Sequence, residues 1–163
     1  MCDKHAATSA IDDTITPEQV AEYETSYNAR VRSGGHASPR QTCDYAFALT
    51  HSQRRSDIPL GISLFNDLRH RADAGSDVVD DARYFTAAAY ARLQNYDRAL
   101  AVIADRDKAV HGQRNTRFDA LRYEIQWRKA KDCSGVIYQS AVTVGVGVVA
   151  GLIIWKIISM RSR

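Results

Sequence analysis

Apolar residues recur at helical spacing in six consecutive stretches of the chain, separated by short polar or glycine-containing segments. The first helix is predicted to begin at Thr16-Pro17 and to end at Ser33. The second begins at Ser38-Pro39, and the third runs from about Asp57 to Arg71. The last three cover about residues 77–93, 96–108 and 113–131. No stretch alternates convincingly enough to be a strand, so the predicted fold class is all-α, a six-helix bundle over residues 16–132.

Two of these helices have well-defined starts. Thr16-Pro17-Glu18-Gln19 and Ser38-Pro39-Arg40-Gln41 each combine an N-cap hydroxyl, a proline in the first turn and a glutamine at the third helical position. The hydroxyl and the glutamine form a capping box, in which each side chain accepts a hydrogen bond from the other residue's backbone amide. Proline suits the first turn because its fixed φ is helical and no amide is lost there. Pro59 must likewise lie in the first turn of its helix, because it has no backbone N–H to donate deeper in.

Residues 1–15 are small and polar, with Ile11 and Ile15 as the only large aliphatic side chains. They can bury little surface, so a flexible N-terminal arm is predicted. Two interpretations stay open: a disordered tail, or an arm that places Ile11 and Ile15 on the helical domain.

The stretch of residues 136–155 contains no charged residue and is almost wholly apolar from Ala141 onward. About 20 helical residues span about 30 Å, the thickness of a bilayer's hydrocarbon core. A transmembrane anchor is therefore predicted at residues 136–158, followed by a basic tail at 159–163. The alternative is a buried soluble helix. So late a span must insert after synthesis, which would leave the preceding domain in the cytosol. The flanking charges do not settle the orientation, because basic residues lie on both sides.

Gly147 and Gly151 form a small-xxx-small pattern, which is typical of helix packing in lipid and would allow self-association. The nearby match to the dinucleotide fingerprint, from Gly145 to Ala150, lacks a βαβ unit and carries little weight.

Lysine and arginine number 22, against 19 aspartates and glutamates. Three of the 22 lie beyond residue 155, so the preceding part has 19 of each sign and is neutral. A neutral domain argues against nucleic-acid binding. The odd, widely spaced cysteines suit a reducing compartment. No histidines form a ligand-spaced pair, and no nucleophile–base pair is visible. We therefore expect no enzyme activity, no cofactor and no metal.

Residues 90–100, YARLQNYDRAL, match the second half of a tetratricopeptide repeat. Ala87 and Ala99 are small where two antiparallel helices would cross, and Gly61 takes the equivalent position one repeat earlier. Two tandem hairpins flanked by capping helices are predicted, with a plain helical bundle as the alternative, since Thr86 and Arg106 depart from the pattern.

Short groups of residues carry a resemblance to a known family: Asp44-Tyr45-Ala46 with Leu49, Asp57-Ile58 with Gly61-Ile62, Arg92-Leu93 with Tyr96, Ala99 and Leu100, and Lys131-Asp132. Together with the repeats and the C-terminal anchor, they resemble the mitochondrial fission 1 protein family. The resemblance covers roughly residue 17 to the end.

The resemblance implies a receptor on the outer mitochondrial membrane, often also on peroxisomes, that faces the cytosol. It would recruit a dynamin-related GTPase, or an adaptor of that GTPase, through the concave surface of the repeats. Carried over by position, that groove comprises Ala46, Leu49, Gln53, Phe85, Ala88 and Arg92. In the family the N-terminal arm can cover the groove, which would give Ile11 and Ile15 a role.

Simpler interpretations of these residues remain. Ala46, Leu49 and Phe85 also fit a plain core, and Arg92 fits a solvated surface cation. Gln53, Pro59 and Thr86 depart from the family, which leaves the partner's identity open. The alternative function is a tail-anchored tetratricopeptide receptor for chaperones or import cargo, which would hold an acidic C-terminus with several cations.

Overall fold

A computed structural model describes residues 2–33, 35–111 and 114–133, with side chains from residue 6 onward. The chain divides into two compact units, Met1–Gln126 and Trp127–Arg163. The predicted anchor, the basic tail, Gly147 and Gly151 lie outside the described residues. Within those residues no helix combines the length and the apolar character needed to cross a bilayer.

Seven helices account for the regular structure of the described residues. They are α1 (Cys2–Asp12), α2 (Pro17–Arg32), α3 (Pro39–Thr50), α4 (Ile58–His70), α5 (Ser76–Arg92), α6 (Tyr96–Ala109) and α7 (residues 116–133). Residues 116–126 of α7 belong to the first unit. The described part of the second unit is helical residues 127–133, where Lys131 lies 5.2 Å from the ring centre of Trp127.

The all-α prediction is confirmed for the described residues. The hydrogen bonds expected at the helix starts are present. The Thr16 hydroxyl accepts from the Gln19 amide while the Gln19 side chain accepts from the Thr16 amide, and Ser38 with Gln41 does the same. Because these caps satisfy amides that have no partner inside the helix, they fix where α2 and α3 begin.

The structure differs from the prediction at the N-terminus. Residues 1–15 were predicted to be a flexible arm, either a disordered tail or a segment that places Ile11 and Ile15 on the helical domain. Cys2–Asp12 is a helix, which raises the helix count of the described residues from six to seven. The packing of Ile11 and Ile15 on the domain agrees with the second interpretation. Ala7 and Ile11 lie one turn apart and are buried, Ile11 being only 2% exposed. Burial of this apolar stripe stabilises a segment whose small polar residues would leave it disordered in isolation.

Helix α5 lies at the centre of the first unit, where α1, α3, α4 and α6 all contact it. Its buried side chains include five alanines: Ala82, Ala87, Ala88, Ala89 and Ala91. Ala87 shares one hydrophobic cluster with Ala99 of α6, and both are fully buried. Small side chains allow neighbouring helices to approach closely on several sides of α5.

The two residues that depart from the repeat pattern are buried with polar contacts. The Thr86 hydroxyl donates to the Ala82 carbonyl at 2.6 Å. Arg106 forms an ion pair with Asp80 at 3.3 Å and lies over the Phe118 ring at 4.7 Å. A buried charge is tolerated where it is paired in this way.

The contact between α3 and α4 is close at Gly61. A Cβ atom at this position would lie 2.7 Å from the Thr50 Cγ2 atom, 2.8 Å from the Ala46 carbonyl oxygen and 3.0 Å from the Leu49 Cβ atom. The Ala46 oxygen is backbone and cannot rotate away, so glycine is required for this approach of the two helices.

Gly61→Ala is therefore expected to destabilise the protein. Overpacking typically costs about 1–3 kcal/mol, whereas alanine in a helix gains about 1 kcal/mol over glycine. Because the clash involves fixed backbone, we expect a net loss of about 1–2 kcal/mol in the free energy of unfolding, measured by denaturant titration.

Gly35→Ala is the matched control, since a Cβ there would meet only the Arg30 carbonyl oxygen, at 3.7 Å. Its effect should stay within about 0.5 kcal/mol. Equal stabilities of the two variants would contradict a close contact between α3 and α4.

Candidate functional site

The structure places Ala46 and Leu49, two of the six predicted groove residues, inside the core rather than on an open surface. Ala46 packs with Phe65 and Leu68 of α4, and Leu49 packs with Val20 of α2. Both are therefore core residues, which was the simpler interpretation of their helical spacing. The face of α3 that carries them packs against the neighbouring helices.

Phe85 and Ala88 lie on the face of α5 that α1 covers. Ala88 is buried in the same hydrophobic cluster as Ala7 and Ile11 of α1, and Phe85 packs against that cluster. The N-terminal helix therefore occupies part of the surface on which the sequence predicts a binding groove. From here on, the groove means the face of α5 around Phe85 and Ala88 that α1 covers.

Arg92 contacts the segment that joins α1 to α2. Its guanidinium donates to the carbonyl oxygens of Asp13, Thr50 and Ser52, at 3.1, 3.2 and 3.0 Å. Burial, with a smaller contribution from Arg55, lowers the pKa of Arg92. An arginine ordinarily titrates so far above neutrality that it remains charged. Arg92 is thus a structural cation with backbone partners, not a solvated surface charge.

The same segment pairs with the loop after α3. The Ile15 amide donates to the His51 carbonyl at 2.7 Å, and the Gln53 amide donates to the Ile15 carbonyl at 3.2 Å. These bonds form an isolated parallel bridge between Ile15 and Ser52. The side chain of Ile15 packs beside Val20 and Leu49, while Gln53 is exposed. Ile15 therefore fixes one end of the α1–α2 connection.

A cavity of about 260 Å³ that opens to solvent lies between α1 and the rest of the unit. Helix α1 and the residue that follows it contribute Ala6, Ser9, Ala10 and Asp13 to its lining. None of these four side chains is large. Helix α1 consequently covers the groove without filling it.

The opposite walls are mostly aromatic and come from three helices. The Phe47 and Phe85 rings meet edge to face with centroids 4.9 Å apart, and Tyr84 and Phe85 do so at 5.4 Å. Arg117 lies over the Tyr84 ring at 3.8 Å and forms an ion pair with Asp81 at 2.6 Å. Arg117 is thus ion-paired and stacked, and the rings present an apolar surface to the cavity.

His51 completes the wall beneath α1 and is 4% exposed. Its Nδ1 atom lies 2.9 Å from the Phe47 carbonyl oxygen, and its ring also reaches the Ala10 carbonyl of α1. Burial lowers the pKa of His51, opposed mainly by the Phe47 carbonyl. The imidazole is therefore neutral at neutral pH. It then has one N–H, which can donate to only one of these two carbonyls.

Four residues at this site were not predicted from the sequence: Phe47, His51, Tyr84 and Arg117. Phe47 and His51 are four residues apart, which places them on one face of a helix. Tyr84 immediately precedes the predicted Phe85. Spacing and adjacency in the sequence could therefore have identified Phe47, His51 and Tyr84. Arg117 could not be identified in this way, because it joins the site only where α7 folds back beside α5.

Two observations on the described residues bear on catalysis. Burial raises the pKa of the Cys43 thiol to about 11, which makes it a poor nucleophile. No cluster of three metal-ligating side chains occurs among the described residues. The groove can bind an apolar surface by shape and burial.

Comparison of the sequence with known protein families and with curated proteins finds no match. The resemblance to the mitochondrial fission 1 family therefore remains a hypothesis, based on the residues given above.

Arg92→Lys should loosen the connection between α1 and α2, because an ammonium group cannot reproduce the planar fork that reaches three carbonyls. Hydrogen bonds from a charged group contribute about 1.5–3 kcal/mol each when buried. For this half-buried side chain we expect a loss of about 2 kcal/mol in the free energy of unfolding. Hydrogen exchange at the amides of Ile15 and Gln53 should also become faster.

Arg54→Lys makes the same substitution at a nearby exposed position and should leave both measurements nearly unchanged. If the two variants behaved alike, Arg92 would have no structural role.

Proposed function

We propose that this chain is a tail-anchored receptor of the outer mitochondrial membrane, also present on peroxisomes. It faces the cytosol and recruits a dynamin-related fission GTPase, or an adaptor of that GTPase, through the groove on α5. The observation that carries the proposal is that an amphipathic helix of the chain itself, α1, already lies in this groove. Helix-in-groove binding is a common mode of peptide recognition.

Two tetratricopeptide-like hairpins form the scaffold in this proposal: α3 with α4, and α5 with α6. Helices α2 and α7 flank them as capping helices. The small residues at the predicted crossings, Gly61, Ala87 and Ala99, support this assignment, since all three are buried at helix contacts. Stacked pairs of this kind present a concave surface suited to a helical ligand.

Membrane attachment in the proposal rests on the sequence of residues 136–158. A receptor confined to a membrane raises the local concentration of whatever it binds, so a groove of modest affinity is sufficient for recruitment. This explains why a small domain without visible catalytic chemistry would carry an anchor.

Self-occupation of the groove supports regulation by the N-terminal helix. The apparent affinity for a partner falls in proportion to the fraction of molecules whose groove is open. Helix α1 would therefore hold recruitment low until it is displaced.

The alternative, a receptor for chaperone tails or import cargo, would require free cations to hold an acidic C-terminus. Arg92 contacts three backbone carbonyls, and Arg117 is paired with Asp81. Neither guanidinium favours this function.

The anchor is tested by fusing a fluorescent protein to the N-terminus of the full chain and of a chain that lacks residues 136–163. We expect the full chain to outline mitochondria and the shortened chain to spread through the cytosol. A reticular pattern for the full chain, or organelle retention of the shortened one, would contradict the proposal.

The groove is tested by Ile11→Asp in the full chain. Transferring a carboxylate into this buried position is strongly unfavourable, so α1 should leave the groove. Recruitment of the GTPase or its adaptor to mitochondria should rise several-fold, measured by co-sedimentation with purified mitochondria.

Thr14→Asp adds the same charge at an exposed position and is the control. Equal recruitment by these two variants would contradict the proposal that the partner binds in the groove.

A further inference from the structure

The contacts of α1 show how a helix lies in the groove. Ala7 is fully buried and Ile11 nearly so, and both join the cluster that contains Ala88. A small residue followed four positions later by a branched aliphatic residue thus defines the face of a helix that contacts α5.

Ala10 lies beside this face, three residues after Ala7, and lines the cavity of about 260 Å³. A cavity of about 150 Å³ lined by apolar side chains is large enough to accept benzene. By volume, the cavity at Ala10 therefore has room for a leucine, methionine or phenylalanine side chain, whereas Ala10 itself contributes only a methyl group.

The surroundings favour an apolar group in this space. The rings of Phe47, Tyr84 and Phe85 form most of the wall opposite α1. On the α1 side, the Ser9 hydroxyl donates to the Asp13 carboxylate, so these two polar side chains are already paired. Arg117, the cation at the cavity, is already paired with Asp81 and stacked on Tyr84, so it does not require an anionic ligand.

We propose that the groove selects a partner helix with a small residue at the Ala7 position, a large apolar residue at the Ala10 position and a branched aliphatic residue at the Ile11 position. Helix α1 satisfies the first and third requirements but leaves the second unfilled. A partner helix that meets all three displaces it. This inference rests on the proposed function of the groove and specifies the chemistry of its ligand.

The first test uses Ala10→Leu in the purified full-length chain in detergent. Each buried methylene group favours the bound state by about fourfold, so filling the cavity should slow hydrogen exchange of the α1 amides by at least about tenfold. Ala10→Met, with a more adaptable side chain, should also slow exchange.

Ala10→Asn is the matched control, because its side chain resembles leucine in size and branching but is polar. It should not slow exchange. If neither the Leu nor the Met variant exchanged more slowly than the Asn variant, the cavity would not select an apolar side chain, and the proposal would be overturned.

The second test measures displacement. Fluorescent peptides with the sequence of residues 2–14, carrying Leu or Asn at position 10, are titrated into the wild-type full-length chain and followed by anisotropy. The Leu peptide should bind at least about tenfold more tightly and should accelerate exchange of the chain's own α1 amides. Equal affinities, or no binding of the Leu peptide, would overturn the proposal.

Both measurements use purified protein and require no organelle. A mislocalised chain would contradict the proposed function while leaving these results intact. Conversely, a mitochondrial chain without selectivity at position 10 would contradict only the inference about the ligand.

Discussion

The small side chains of α5 are the constraint on which the rest of the structure depends. Helices α1, α3, α4 and α6 all contact this helix, and its buried positions are mainly alanines. Interaxial distances are set by the side chains at the contact, so larger residues would push at least one neighbour away. The same property that lets α3, α4 and α6 pack on α5 also allows α1 to reach it. The packing of the helices and the binding of α1 in the groove therefore both require small side chains on α5.

The helices from α2 to α6 could be predicted from sequence because their signals are local. Capping boxes at Thr16 and Ser38 and prolines in first turns fix where helices begin without help from the fold. Helix α1 could not be predicted in this way. It has a single large aliphatic side chain, Ile11, and becomes helical by packing on α5, which is a tertiary effect.

The candidate site was predicted in part. Phe85 and Ala88 do lie on the groove, whereas Ala46 and Leu49 are core. Apolar spacing identifies a buried face of a helix. It does not distinguish a face that binds a partner from a face that packs in the domain's own core. Arg92 illustrates the same difficulty for a charge, because its partners are carbonyls from two distant segments. Only the fold brings those segments together.

The bridge at Ile15 has a consequence for the kinetics of groove access. Helix α1 has 11 residues and is about 16 Å long. With its C-terminal connection fixed at Ile15, it stays near the groove even after it detaches. Short segments close in about 10–100 ns, whereas a partner at micromolar concentration arrives about 0.1–10 times per second. Even if redocking were a thousandfold slower than loop closure, an opened groove would close again long before the next partner arrived, so most openings would end without capture. In the proposed receptor, the rate of partner capture would therefore follow the equilibrium fraction of open grooves and not the speed of opening.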